Sequence, residues 1–282
     1  MCEKPTFKKV IDFEEAKQLL EQMRRDRGFP SGHMGLDKLC GGLVKDGVTL
    51  IASRPAMGRT SLVLNIVNRL AQQGGGTILI CSSQIRPSEF ALRLFSIGTG
   101  LELERFFDDK LPQATVATKF LDYYEAKKSN IKFVIDNSLS LDEIWDYSCN
   151  IPDLRLIVID PVEEIYTPND RDAKKIPPSA IFKSLRQLAH TLTVPVLCTS
   201  HLHRSLEQRK NKRPRLGDLK KIGIDPEWLD QIIFLYRDQY YYSDGEEGAE
   251  WIVAKSPQDR IGTVQLDWDY ATQRFSEKTI DV

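Results

Sequence analysis

Short apolar runs alternate with amphipathic stretches along most of the chain, and these two patterns predict strands and helices in turn. The run Leu156-Ile157-Val158-Ile159 has no polar face, which is typical of a parallel strand covered on both sides. We predict strands at residues 48–52, 77–82, 132–136, 154–160 and 194–200, and helices between them at 61–72, 89–98 and 181–191.

Two later strands and a hairpin partner follow this alternating region, at residues 231–236, 250–255 and 261–268. The alternation of strands and helices implies right-handed crossover connections. The predicted fold class is therefore α/β, a mostly parallel twisted sheet with helices on both faces and a C-terminal β-hairpin extension. The polar stretches 170–178 and 206–218 are predicted to be loops.

The N-terminal segment is predicted to be separate from this sheet. Phe13, Ala16, Leu19, Leu20 and Met23 recur at helical spacing, and glycines and a proline at 28–32 end the pattern. We therefore divide the chain into a helical segment, residues 1–27, and one domain, residues 28–282. The helix over 13–27 either folds back on that domain or docks on another subunit.

The composition limits the classes of function. Of the 282 residues, 41% are hydrophobic and 28% are charged, which is typical of a globular protein. The formal net charge of −1 means that any nucleic-acid surface is a local patch. The sequence shows neither a long apolar run nor a signal-peptide core, and its five cysteines form no CxxC pair. These features favour a cytoplasmic protein that has no membrane partner.

The turn between the first strand and the first helix carries the strongest chemical motif. Backbone N–H groups at a helix N-terminus bind phosphates, and the P-loop pattern GxxxxGK[ST] adds a lysine for the phosphates and a hydroxyl for magnesium. Gly58 and Thr60 match this pattern, whereas Ser53 replaces its first glycine and Arg59 its lysine. The alternative is a strand–turn–helix without a ligand. The predicted phosphate turn comprises Ser53, Arg54, Pro55, Ala56, Met57, Gly58, Arg59, Thr60 and Ser61.

Polar residues also end two other predicted strands, where open α/β sheets bind ligands. Asp160 ends the strand 154–160, and together with Thr60 it is the predicted support of a magnesium ion. His201 follows the strand 194–200, and it is either a sensor of the γ-phosphate or a surface histidine. Glu163 and Glu164 are either replacement bases or solvated loop charges.

Several segments together resemble the C-terminal motor domain of DnaB-type replicative helicases. The most specific are the turn Arg54-Pro55-Ala56-Met57-Gly58 and the run Arg204-Ser205-Leu206-Glu207-Gln208-Arg209, and collinear matches extend from about Gly28 to Phe275. The resemblance implies a RecA-like fold that binds ATP with Mg²⁺. It also implies a hexameric ring that moves along single-stranded DNA, with the nucleotide at subunit interfaces and the helix 13–27 docked on the next subunit.

The chain departs from this family at positions that carry catalysis. The resemblance places Arg59 at the phosphate-binding lysine and Gln84 at the catalytic glutamate, and glutamine cannot take a proton from water. The resemblance also makes His201 the counterpart of a glutamine. The catalytic set that it implies is Gln84, Asp160, His201, Lys255 and Arg260.

The two cations of this set lie late in the chain. Lys255 matches the family's lysine that acts on a neighbouring subunit's nucleotide, but Pro257 stands at the partner arginine, for which Arg260 is a possible substitute. A solvated hairpin tip is the alternative. An arginine finger is worth roughly 10³–10⁵ in rate and a general base about 10²–10⁴. We therefore expect slow hydrolysis.

A basic segment, residues 206–221, follows the strand 194–200. The resemblance places the family's DNA-contacting loop at residues 218–226. The alternative is a solubilising surface loop. The predicted contacts to single-stranded DNA are Arg209, Arg213, Arg215, Lys220 and Lys221.

Two functions remain open from the sequence. The first is a helicase-family domain that binds ATP and single-stranded DNA during replication, with weakened hydrolysis. The second is an ATPase-deficient, nucleotide-binding regulatory or structural partner of a replicative helicase.

Overall fold

The computed structural model describes residues 28–82, 85–107, 118–119, 122–123, 125, 130–136, 139–165 and 177–278. The helix over 13–27 and the segment 1–27 lie outside these residues, and so does Gln84. In the described ranges, no helix is both long and apolar enough to cross a membrane.

The described strands form one nine-stranded sheet in the order β3-β2-β4-β5-β1-β6-β7-β8-β9. The strands β1 to β6 run parallel, and β7, β8 and β9 extend the sheet as antiparallel neighbours. Their bounds are β1 (Val48–Ser53), β2 (Thr77–Ser82), β3 (Ile131–Ile135), β4 (Leu154–Asp160), β5 (Val196–His201), β6 (Gln231–Tyr236), β7 (Ala249–Lys255), β8 (Gly262–Asp269) and β9 (Arg274–Glu277).

Helices cover both faces of this sheet, as predicted. On one face α2 and α3 pack on apolar side chains such as Ile51, and on the other face α4 and α5 pack on side chains such as Leu50. Alternate residues of a strand point to opposite faces, so the fully buried strand β1 contributes side chains to both cores. The described helices are α1 (Met34–Cys40), α2 (Arg59–Gln73), α3 (Pro87–Thr99), α4 (Leu141–Cys149), α5 (Pro178–Leu192) and α6 (Leu216–Lys220).

The sequence pattern missed two elements and part of a third. The strand β9 has four residues, of which Phe275 alone is fully buried, so it has too little apolar alternation to be detected. Helix α4 begins at a capping box in which Ser140 and Glu143 bond each other's backbone N–H groups. The predicted loop 206–218 overlaps a 3₁₀ helix (Arg204–Gln208) and the beginning of α6.

Strand register brings the ends of three parallel strands to one edge of the sheet. Ser53 at the end of β1 pairs with His201 at the end of β5, and Asp160 ends β4 beside them. Because the carboxyl ends of these strands meet, the residues that follow them surround one region of space. This edge therefore determines where the polar groups of the site meet.

The His33 side chain is buried in the core, and its imidazole makes no hydrogen bond with the described residues. Its ring lies 4.6 Å from the ring of Trp251, edge to face, and neither ring nitrogen has a partner among the described residues. Burial, followed by the nearby charge of Arg69, lowers the pKa of His33 to about 3. The folded protein therefore keeps this imidazole neutral.

We expect His33→Phe to reduce the loss of stability in acid. In the unfolded chain His33 takes up a proton below its ordinary pKa of 6.5, but the folded chain takes it up only below about 3. Stability therefore falls as the pH decreases through this window, by about 2 kcal/mol between pH 7 and 5. Phenylalanine retains the ring contact and removes this proton uptake.

Urea unfolding at pH 7 and pH 5 measures the effect, with the exposed His190→Gln as the control. An equal loss of stability on acidification in the wild type and His33→Phe contradicts the explanation.

Candidate nucleotide-binding site

The phosphate turn joins β1 to the N-terminus of α2. Gly58 has a φ of 91°, and a Cβ atom there would lie 3.0 Å from the ring of Phe275, so glycine fits both the backbone and the space. The backbone N–H groups of Gly58, Arg59, Thr60 and Ser61 have no acceptor among the described residues. Free N–H groups at the positive end of a 15-residue helix are the kind of arrangement that binds anions.

A cavity of 480 Å³ opens beside this turn. Four arginines contribute to its lining, Arg54, Arg59, Arg93 and Arg237, and no carboxylate lies among its described lining residues. The cavity is therefore electropositive, which suits a polyphosphate. A larger cavity of 640 Å³, beside Asn68 on α2, does not include the free N–H groups of the turn.

Arg59 connects α2 to the end of β5. Its Nη1 donates to the Ser200 carbonyl oxygen at 2.7 Å, and its Nη2 lies 2.9 Å from His201 Nε2. Its Nε, 3.9 Å from an Asp160 oxygen, has no hydrogen-bond partner among the described residues. Burial lowers the pKa of this guanidinium, and Asp160 and Glu163 oppose that shift. Arginine stays protonated, so a fixed positive charge lies at the strand ends.

Asp160 and Thr60, the two residues predicted to support a magnesium ion, are in contact. The Thr60 hydroxyl donates to Asp160 Oδ2 at 2.7 Å, and the Thr199 hydroxyl donates to Oδ1. A hydroxyl next to a carboxylate is the ligand chemistry that Mg²⁺ takes beside bound phosphates. These residues therefore fit a magnesium ion in type, although Arg59 already compensates part of the carboxylate charge.

His201 belongs to the site and is partly buried. Burial, followed by the charge of Arg59, lowers its pKa, so the ring is neutral at pH 7 and accepts a hydrogen bond from Arg59. Its backbone N–H donates to Glu163 Oε1 at 2.6 Å, and Ser200 Oγ donates to the same oxygen at 2.5 Å. Glu163 is thus bonded into the end of β5, and a role as a base stays a prediction.

Arg54 connects the turn to the segment after β5. Its Nε donates to Glu207 Oε1 at 2.7 Å, and its Nη1 donates to the Leu202 carbonyl oxygen at 2.7 Å. The Leu202 N–H in turn donates to the Ser53 carbonyl oxygen at 2.9 Å. The phosphate turn and the beginning of the basic segment are therefore in direct contact.

The far wall of the cavity was missed from the sequence. Arg237 lies over the ring of Trp268, 5.3 Å from its centroid, and the largely exposed Tyr270 borders the same space. Gln273 accepts a hydrogen bond from Ser61 at 2.6 Å, which holds this wall against α2. The nearby aromatic residues Trp268 and Tyr270 were the available signal, but no sequence pattern indicates that the end of β8 borders the phosphate turn.

The two late cations lie at the opposite edge of the sheet. Lys255 pairs with Ile232, which is level with Leu50, and about 10 Å of strand separates Leu50 from Ser53. Lys255 Nζ donates to the Pro226 carbonyl oxygen at 2.8 Å, and Arg260 is exposed in the turn that follows β7. Neither residue is near the phosphate turn of its own chain, so any role in catalysis requires a second subunit.

The five residues predicted to contact DNA separate into two groups. Arg209 bonds both carboxylate oxygens of Asp218, at 3.1 and 2.9 Å. Arg213 bonds the buried Glu250, at 2.6 to 3.1 Å, and this hydrogen-bonded pairing raises the pKa of Arg213. These two arginines are partly buried structural partners.

The remaining three residues, Arg215, Lys220 and Lys221, are exposed. Lys221 Nζ lies 3.1 Å from Ser205 Oγ, within the segment that Arg54 contacts. The exposed cations are therefore the better candidates for contacts to a polyanion.

Known proteins share this architecture. A solved ATPase domain superposes with a TM-score of 0.85 at 26% identity, covering 96% of this chain and 100% of its own. A DnaB-like replicative helicase, solved in a study of its interactions with primase, gives 0.82 at 26% identity, covering 96% of this chain and 68% of its own. The predicted RecA-like α/β fold is confirmed.

Sequence comparisons agree with the fold. The chain is 30% identical over 248 residues to the replicative DNA helicase DnaB of Geobacillus stearothermophilus, covering 85% of this chain and 54% of the relative. It is 31% identical over 262 residues to a probable replicative DNA helicase of Trieres chinensis, covering 88% and 57%. The chain thus spans little more than half of these relatives. The model of the DnaB-like helicase C terminal domain matches residues 28–277, and the chain belongs to that family.

Proposed function

We propose that the chain binds ATP at the phosphate turn and hydrolyses it slowly, as a helicase-family domain that acts in DNA replication. The observation that carries the proposal is the row of free N–H groups at the N-terminus of α2, which faces a cavity lined by four arginines. Such an arrangement stabilises phosphate without any covalent chemistry.

The cavity also suggests the orientation of the nucleotide. With the phosphates on the turn, the base lies towards Tyr270 and Arg237, because these side chains line the cavity with flat faces and Trp268 holds Arg237 from behind. A Mg²⁺ ion that accompanies the nucleotide would contact Thr60 and Asp160 and would neutralise phosphate charge.

Slow hydrolysis follows from the absence of a lysine in the phosphate turn and from the distance of Lys255 and Arg260 from it. Arg59 is a planar, buried guanidinium that is bonded to the end of β5, and it replaces a flexible ammonium. Lys255 and Arg260 lie at the far edge of the sheet, so a neighbouring subunit has to supply them. We therefore propose a homo-oligomer, a hexameric ring by analogy with the family, in which turnover depends on the subunit interface.

The bonds of Arg59 also favour a second function. A chain that binds ATP but cannot turn it over would act as a regulatory or structural partner of an active replicative helicase. The two functions differ in measured turnover and not in nucleotide affinity. We propose single-stranded DNA as the polymer partner of either form, through the exposed Arg215, Lys220 and Lys221.

We expect ATP to bind and Gly58→Val to abolish binding, because a branched side chain at a φ of 91° collides with Phe275. Trp268→Ala should weaken binding about tenfold, because Arg237 loses the ring that holds it in the wall of the cavity. Isothermal titration calorimetry measures both changes, with the exposed Tyr147→Ala on α4 as the control. Unchanged affinity in Gly58→Val and Trp268→Ala places the nucleotide elsewhere.

We expect the wild type to hydrolyse ATP slowly and Arg59→Lys/Gln84→Glu/Pro257→Arg to raise turnover at least about tenfold, because the lysine, the base and the finger are restored. Phosphate release with and without single-stranded DNA measures this turnover. Rapid, DNA-stimulated hydrolysis by the wild type would show that the substituted positions are not limiting.

We expect Lys220→Gln/Lys221→Gln to weaken binding of single-stranded DNA and to reduce the salt slope by about 1.4, since each lost phosphate contact removes about 0.7. Arg213→Met should instead lower stability by about 1–3 kcal/mol, because Glu250 loses its partner. Fluorescence anisotropy over a salt series and urea unfolding separate the effects. A salt slope that changes only in Arg213→Met would reverse the assignment.

A further inference from the structure

The ion pair between Arg54 and Glu207 connects two surfaces of the proposed function, the phosphate turn that binds the nucleotide and the exposed cations near α6 that bind DNA. Arg54 is part of the phosphate turn and lines its cavity, whereas Glu207 is in the 3₁₀ helix after β5 and does not line it. Their atoms Nε and Oε1 are 2.7 Å apart, and the side chains are 18% and 34% exposed. Such a charge-assisted bond is partly shielded from salt.

A second set of bonds continues from this segment towards the basic residues. The segment that begins at Leu202 is bonded to the turn by Arg54 Nη1 and by the Ser53 carbonyl oxygen. Ser205 in the same 3₁₀ helix accepts a hydrogen bond from Lys221, 3.1 Å away. Arg209, which ends the helix, holds Asp218 of α6 by two bonds.

Alternative routes between the two surfaces are less direct. Arg93 is another arginine of the cavity, but its partner Glu89, at 2.6 Å, is four residues away on α3. Arg237 lies against Trp268 in the antiparallel part of the sheet. Among the described residues, Arg54 is therefore the cavity arginine that pairs with a carboxylate in the connection between β5 and β6. The same connection carries the exposed Lys220 and Lys221.

We propose that the Arg54–Glu207 ion pair couples nucleotide binding at the phosphate turn to single-stranded DNA binding by Lys220 and Lys221. The proposal rests on the proposed function at both surfaces. An anion at the turn attracts Arg54 and competes with Glu207 for its charge. The 3₁₀ helix then relaxes from the turn, and the position of α6 changes with it. By linkage, DNA bound at α6 alters nucleotide affinity by the same factor.

The test compares four forms of the full chain: wild type, Glu207→Ala, Glu207→Gln and Glu89→Ala. The affinity of labelled single-stranded DNA is measured by anisotropy with and without a non-hydrolysable ATP analogue, and analogue affinity by calorimetry with and without DNA. We expect the wild type to show a coupling factor of at least about five in both directions. Glu207→Ala should bring it close to one, Glu207→Gln should lower it in part, and Glu89→Ala should leave it unchanged.

Glu207→Ala breaks the pair without nucleotide, so it should shift the DNA affinity measured alone about as far as the analogue shifts it in the wild type, and its melting temperature should stay close to that of Glu89→Ala. Wild-type coupling that persists in Glu207→Ala overturns the proposal, as does an equal loss in Glu89→Ala. Absence of coupling in the wild type overturns it as well. Failure of either ligand to bind alone identifies instead a failure of the proposed function, and the coupling proposal falls with it.

Discussion

The parallel pairing of β1 with β5 determines where every polar group of the site lies. Because Ser53 is level with His201, the phosphate turn leaves the sheet beside the end of β5. Arg59 can then reach the Ser200 carbonyl oxygen and the His201 ring. The same register places Arg54 against Leu202 and Glu207. A slip of one residue would send each side chain to the opposite face and break these contacts.

The antiparallel extension supplies what the parallel sheet alone lacks. The strand β9 packs Phe275 against Gly58 and Trp268, and Asn65 of α2 accepts a hydrogen bond from the Phe275 N–H. One wall of the cavity is therefore built by the end of β8 and the turn before β9, and the opposite wall by the turn that follows β1. This dependence makes the site a property of the whole domain and not of the glycine turn alone.

The sequence was informative wherever one strand or one turn determined the chemistry. The apolar run before Asp160 and the Gly58–Thr60 motif placed the carboxylate and the turn at one edge, where the structure has them. The sequence was less informative about side-chain pairing across distant segments. The basic segment looked uniformly positive, but Arg213 neutralises the buried Glu250, 37 residues away. Likewise, no local pattern indicated that Trp268 faces the phosphate turn.

The free N–H groups at the start of α2 are the basis of the proposed nucleotide site, and amide hydrogen exchange reports on them directly. Exchange of the wild-type chain is compared with and without a non-hydrolysable ATP analogue, with peptides that resolve Gly58 to Ser61. We expect these amides to exchange freely without ligand, because they lack acceptors, and to become protected when phosphate oxygens accept from them. Unchanged exchange at these amides with a saturating analogue would contradict a phosphate site at this turn.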